Sequence, residues 1–218
     1  MLRFDAPVLL LGHGPIADGA VQAGLARCAH IVAADGGADR ALALGLTPDA
    51  IIGDMDSAQS LDHWRASGVP IHRDGDQNTT DFEKCLSLIA APRILALGFS
   101  AGQADHYLAN AAKLVSRAQH NVILLDDTDI AFACPDELTL DLAPNTRVSL
   151  FPFALVSATS TGLRWPLDGL PLAPLGQIAT SNRALGRVQI SEGQGLWVIL
   201  PAHALPVLWS SPGSVHEQ

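Results

Sequence analysis

Ile51-Ile52-Gly53-Asp54-Met55-Asp56-Ser57 is the stretch whose reading decides the fold. Two apolar residues run into a glycine, and two carboxylates follow with one residue between them. An apolar run closed by glycine reads as a buried strand reaching the edge of its sheet. Asp54 and Asp56 then lie where the strand opens into a loop, the place where open α/β sheets bind ligands. Carboxylates this close repel one another unless a cation sits between them. Mg²⁺ suits them, because it prefers hard oxygen donors and commonly bridges a protein to phosphates. A solvated polar turn competes as the reading of an isolated Asp-x-Asp, so the neighbouring segments decide.

Upstream, Val8–Leu11 and His30–Ala34 are short apolar runs, each followed by a glycine turn. In the first turn, Gly12-His13-Gly14-Pro15, His13 reads equally as a phosphate contact and as a plain loop histidine. A helix is expected over Ile16–Arg27. The second turn, Asp35-Gly36-Gly37-Ala38-Asp39-Arg40, lets backbone approach a ligand and opens a helix whose N-terminus favours an anion. Downstream, Val69–His72 reads as a strand, with Pro70 marking it as an edge. Thr80-Asp81-Phe82-Glu83 has the spacing of a capping box, with Thr80 as N-cap. Phe82, Cys85, Leu86 and Ile89 then form one apolar helix face. Asp81 lies off that face and can project into a cleft. Ile94–Leu97 ends in Gly98, Asp105-His106 opens a further helix, and Val122–Leu125 repeats the strand pattern. Strands alternating with helices predict a mostly parallel α/β sheet.

From Asp129 onward the rhythm changes, and no helix is expected. Thr139–Leu142, Arg147–Phe151, Val156–Thr159, Val188–Ile190 and Leu196–Leu200 read as short strands between Pro, Gly and Asn turns. The boundary is expected near Cys134-Pro135. That gives an α/β domain over 1–134 and an all-β domain over 135–218.

Composition narrows the function classes. A chain of 218 residues, 48% hydrophobic, can bury a proper core. The net charge of −9 comes without a basic run, which argues against binding along a nucleic-acid backbone. Cys28, Cys85 and Cys134 are too few and too scattered for a disulfide framework or a zinc site. Neither a secretory signal nor an apolar stretch of about 20 residues stands out, so a soluble, cytoplasmic protein away from membranes is expected.

Taken together, several blocks resemble the thiamin pyrophosphokinase family. They are Ala34–Arg40, Pro48–Ser57, Thr80–Leu86, Asp105–Asn110, Thr161–Leu167 and Thr180-Ser181-Asn182. The resemblance spans about residues 8 to 200, and the order of the blocks is more specific than any single one. It implies a Rossmann-like, three-layer α/β domain, a C-terminal β-sandwich, and a homodimer with active sites where subunits meet. It also implies transfer of diphosphate from ATP to thiamin, giving thiamin diphosphate and AMP.

Carried over by motif, Asp54, Asp56 and Asp81 resemble the Mg²⁺-binding carboxylates, with Asp35 and Asp105 completing the acidic site. Gly36, Gly37, Asp39 and Arg40 resemble the nucleotide-binding turn, and Gln77 and Thr80 are expected along the phosphates. Trp165, Ser181 and Asn182 resemble the side that receives thiamin, where an aromatic face suits the thiazolium cation. Two positions depart from the family pattern. Gln103 stands where Arg is usual, and Asn78 where Asp is common. A non-catalytic thiamin- or nucleotide-binding homologue and a Mg²⁺-dependent phosphohydrolase are the rival readings.

Overall fold

The computed structural model describes residues 1–211. The chain divides into two compact units. One comprises Met1–Asn110 with Leu124–Asp127, and the other Ala111–Ile123 with the chain from Thr128 onward.

The first unit alternates strand and helix: β1 (Leu2–Arg3), β2 (Val8–Leu11), α1 (Asp18–Leu25), β3 (His30–Ala34), α2 (Gly37–Ala43), β4 (Ala50–Gly53) and α3 (Leu61–Ala66). It continues with β5 (Ile71–Arg73), α4 (Asp81–Leu88), β6 (Ile89–Ala90), β7 (Ile94–Leu97), the start of α5 (Ala104–Ser116) and the end of β8 (Val122–Leu125). Strands β7, β2, β3, β4 and β5 lie side by side in that order, every neighbouring pair parallel. All four residues of β2, β4 and β7 are buried. That is why these strands read as continuous apolar runs and not as alternating ones. β5 ends the row, as Pro70 anticipates.

The strand order fixes where a ligand can enter. The chain leaves β2 toward β3, β4 and β5, then returns to the other side of β2 as β7. Such a switch point opens a crevice beyond the carboxyl ends of the strands. Gly37 lets the turn after β3 close onto β2, since a Cβ there would lie 2.0 Å from the carbonyl oxygen of Leu11. Only a residue without a side chain fits.

The second unit is rich in antiparallel strands: β9 (Asp129–Ala133), β10 (Glu137–Asp141), β11 (Arg147–Pro152), β12 (Thr159–Leu163), β13 (Ala179–Ser191) and β14 (Leu196–Pro201). A 3₁₀ turn (Ala202–Ala204) and α6 (Leu205–Ser210) follow. The thirteen-residue β13 pairs with β11 through its first half and with β10 and β12 through its second. Asn182, Ala184, Val188 and Ile190 point inward from it, on one side of the pleat.

Several expectations need correcting. The helix expected over Ile16–Arg27 is shorter, Asp18–Leu25. Helix α3 was not expected at all, because its six residues carry too little periodicity. Helix α6 contradicts the expectation of no helix after Asp129, and Pro206 in its first turn is compatible with a helix start. The strand placed at Val156–Thr159 lies instead at Thr159–Leu163, while Val156 makes an isolated bridge to Leu172.

Candidate active site

Loops leaving the carboxyl ends of β2, β3, β4 and β7, with the start of α4, enclose a cleft of about 570 Å³ in the first unit. His13, Asp35, Gly36, Arg40, Asp54, Thr80, Asp81, Lys84, Gln103, His106 and Asn110 are among its lining residues.

Three carboxylates converge there from three separate segments. Asp35 follows β3, Asp54 follows β4, and Asp81 opens α4. Each offers an oxygen, and these oxygens lie within 4.8 Å of one another. Asp35 is held in place by its backbone N–H, which donates to Ile52 O at 2.8 Å, and by its Oδ2, which accepts from the Ser57 N–H at 3.2 Å. Its φ of +40° is a conformation that side-chain-bearing residues rarely adopt, and strain of this kind gathers at functional sites. Asp35 is 1% exposed, and its Oδ1 is buried without a hydrogen-bond partner. Burial, with the Asp81 charge nearby, holds its carboxyl above the usual range.

Helix α4 presents the other half of the site. Thr80 Oγ1 accepts from the Glu83 N–H, and the Glu83 carboxylate accepts from the Thr80 N–H, so the predicted capping box is present. Phe82 and Cys85 are buried, which fixes the rotation of the helix and points Asp81 and Lys84 at the cleft. Lys84 is 2% exposed, and its ammonium donates to Asp54 Oδ2 at 2.9 Å and to Asp81 Oδ1 at 3.1 Å. The Lys84 hydrogen bond is the main reason that Asp54 sits below the usual carboxylate range. Burial alone would pull the Lys84 ammonium down, but the two carboxylates outweigh it and raise it.

An oxygen-only trio with one orphaned buried oxygen fits a hard divalent cation. Asp56, Asp39 and Asp105 fall outside it. Asp56 is exposed; its N–H donates to Asp54 Oδ1 at 3.3 Å and its carboxylate accepts from Ser57 Oγ at 2.9 Å. The Asp105 carboxylate is exposed and accepts from the His106 N–H. Asp39 accepts from the backbone N–H groups of Gln59 and Ser60, at 2.9 and 2.7 Å, and so ties the loop after β4 to α2. Gln77 Nε2 donates to Asp54 Oδ2 at 3.3 Å. Arg40 Nε donates to His13 O at 3.1 Å, which seats its guanidinium at the mouth of the cleft.

The three residues carried over for thiamin lie in the second unit. Trp165 is 54% exposed, with the Arg164 guanidinium 5.2 Å from its ring centroid. Asn182 is buried and holds the Trp165 backbone at both ends: Oδ1 accepts from its N–H at 3.2 Å, and Nδ2 donates to its carbonyl at 2.6 Å. Ser181, with φ of +60°, donates its backbone N–H to Ser149 Oγ at 2.9 Å.

Sequence reasoning did not single out Lys84. Its signal was its place three residues after Asp81, the spacing that puts two side chains on one helix face.

Residues 21–125 match the family model of the thiamin pyrophosphokinase catalytic domain, and residues 137–197 match that of its vitamin B1 binding domain. Thiamine pyrophosphokinase 1 of Oryza sativa subsp. japonica is 31% identical over 185 residues, covering 69% of this chain and 70% of its own. The chain belongs to the thiamin pyrophosphokinase family. The thiamine pyrophosphokinase of Bacillus subtilis (strain 168) is 24% identical over 182 residues, covering 78% of this chain and 85% of its own. Among solved structures, the thiamin pyrophosphokinase of Candida albicans superposes with a TM-score of 0.78 at 19% identity, covering 90% of this chain and 89% of that one. At that identity the likeness concerns the fold.

Proposed function

We propose that this member of the thiamin pyrophosphokinase family transfers diphosphate from ATP to the primary hydroxyl of thiamin. The observation that carries the reading is the convergence of Asp35, Asp54 and Asp81 in one cleft at the carboxyl ends of the strands. In the transfer, the hydroxyl oxygen of thiamin bonds to the β-phosphorus while the bond from that phosphorus to the α,β-bridging oxygen breaks. AMP leaves with that oxygen, and the hydroxyl proton passes to solvent. Such transfers need positioning and charge neutralisation more than covalent catalysis. Bound Mg²⁺ would supply neutralisation across the phosphates.

The chain's own groups do the rest. Asp35, Asp54 and Asp81 would hold the metal, and Asp54 stays ionised because Lys84 faces it. Arg40 at the cleft mouth is placed for phosphate, and the close-packed turn at Gly36 and Gly37 allows backbone N–H groups to face it. Exposed Trp165 offers an aromatic face to the thiazolium.

A homodimer with active sites at the subunit interface belongs to the same reading. Leu155, Leu175, Leu185 and Trp165 expose apolar surface on the second unit, which supports it. So does a cytoplasmic setting, with Cys28, Cys85 and Cys134 unpaired. No helix among the described residues is long and apolar enough to cross a membrane.

Product analysis tests the function directly. With thiamin, ATP and Mg²⁺, equal yields of AMP and thiamin diphosphate are expected. Release of inorganic phosphate alone would indicate hydrolysis, and binding without turnover would indicate a non-catalytic homologue.

A further inference from the structure

Lys84 has a consequence for the order in which the site fills. Its ammonium already occupies Asp54 Oδ2 and Asp81 Oδ1, two of the six oxygens of the trio, and it is buried. The capping box and the buried Phe82 and Cys85 fix the helix turn that carries it. An arriving cation therefore meets a fixed positive charge within ion-pair distance of its ligands, and like charges this close repel. The phosphates of a nucleotide change that balance, because they add negative charge and further oxygen ligands on the open side.

We propose that Lys84 is a built-in counter-cation that keeps the acidic cluster from taking a divalent metal unaided, so that metal is retained only together with nucleotide phosphates. The inference deepens the functional reading and rests on its assignment of a metal to Asp35, Asp54 and Asp81. A lysine that merely pinned α4 to β4 would make no such difference between the two binding conditions.

Mn²⁺ serves as the probe, its free concentration read from the paramagnetic resonance of the aqueous ion. The full-length protein is titrated with and without α,β-methylene-ATP, whose corresponding bond cannot be cleaved. The wild type is expected to bind Mn²⁺ at least tenfold more tightly with the nucleotide analogue than the combined affinities of protein alone and analogue alone allow. Lys84→Met, which keeps an unbranched chain one atom shorter and removes the charge, is expected to bind Mn²⁺ without nucleotide at least tenfold more tightly than the wild type. Lys84→Arg, which keeps the charge, is expected to stay near the wild type. Equal or weaker nucleotide-free binding by a folded Lys84→Met overturns the inference. If Lys84→Met does not fold, the wild type still decides: equally tight binding with and without the analogue overturns the inference. Absence of Mn²⁺ binding to the wild type alone, with none beyond that of the analogue itself when the analogue is present, overturns the metal assignment and the inference with it.

Discussion

A Cβ built on Gly53 would stand 2.7 Å from the Cβ of Asp35, so the ends of β3 and β4 meet only because position 53 carries no side chain. That meeting brings the Asp35 and Asp54 carboxylates into one cluster. Gly53→Ala should therefore push Asp35 aside. Overpacking of this kind costs about 1–3 kcal/mol, and turnover should fall with it. Denaturant melts beside activity assays check this; a variant matching the wild type in both would show that the strand ends relax without harm.

Asp54→Asn and Asp81→Asn should leave the fold intact and cost about 10²-fold or more in kcat, the scale of losing one preorganised electrostatic contact to the transition state. Each variant leaves Lys84 a single ionised carboxylate in place of two. Turnover measured at saturating Mg²⁺ decides, and near-normal rates would refute the role of the trio.

Asp39 should behave as a structural anchor. Burial would push its carboxyl up, but the N–H donors of Gln59 and Ser60 outweigh that and leave it below the usual 3.8. A depressed folded value means that its stabilisation is present above pH 3.8 and is lost as pH falls below that through the folded value. Asp39→Ala should cost about 1–3 kcal/mol at neutral pH. The gap from the wild type should close in acid below 3.8. Thermal melts across pH 2.5–7 check both; a gap that persists in acid would mean that the charge is not what anchors the loop.

Asn182 is buried and orients Trp165 through both ends of its backbone. Asn182→Ala would strip partners from the Trp165 N–H and carbonyl. About 1–3 kcal/mol of stability should go, and KM for thiamin should rise more than kcat falls. An unchanged thiamin KM would remove Trp165 from the substrate site.

Gln103 lines the cleft, and its carbonyl accepts the Tyr107 N–H at the start of α5. If its side chain stands where a phosphate-facing cation is usual, Gln103→Arg should tighten ATP binding by up to about tenfold. Thiamin affinity should not move. Separate constants for the two substrates check this. No change for ATP would mean that Arg40, already seated at the cleft mouth, supplies the needed charge.

The sequence by itself determined the α/β first half, the capping box at Thr80, the strand-rich second half and the family. These depend on neighbours along the chain: apolar runs that bury whole strands, glycines that end them, and an N-cap three residues from its Glu. The family resemblance put five aspartates in one acidic site, and the tertiary structure decided which three of them converge. Asp56 lies beside Asp54 in the chain, yet Asp35, nineteen positions away, completes the converging trio. Parallel strands place residues side by side that the sequence separates by a full crossover, so adjacency across a sheet is invisible to local spacing. The same holds for Lys84, whose second partner, Asp54, is thirty positions upstream. A helix period can predict its ion pair with Asp81; only the packing of α4 against the end of β4 turns that pair into a bridge.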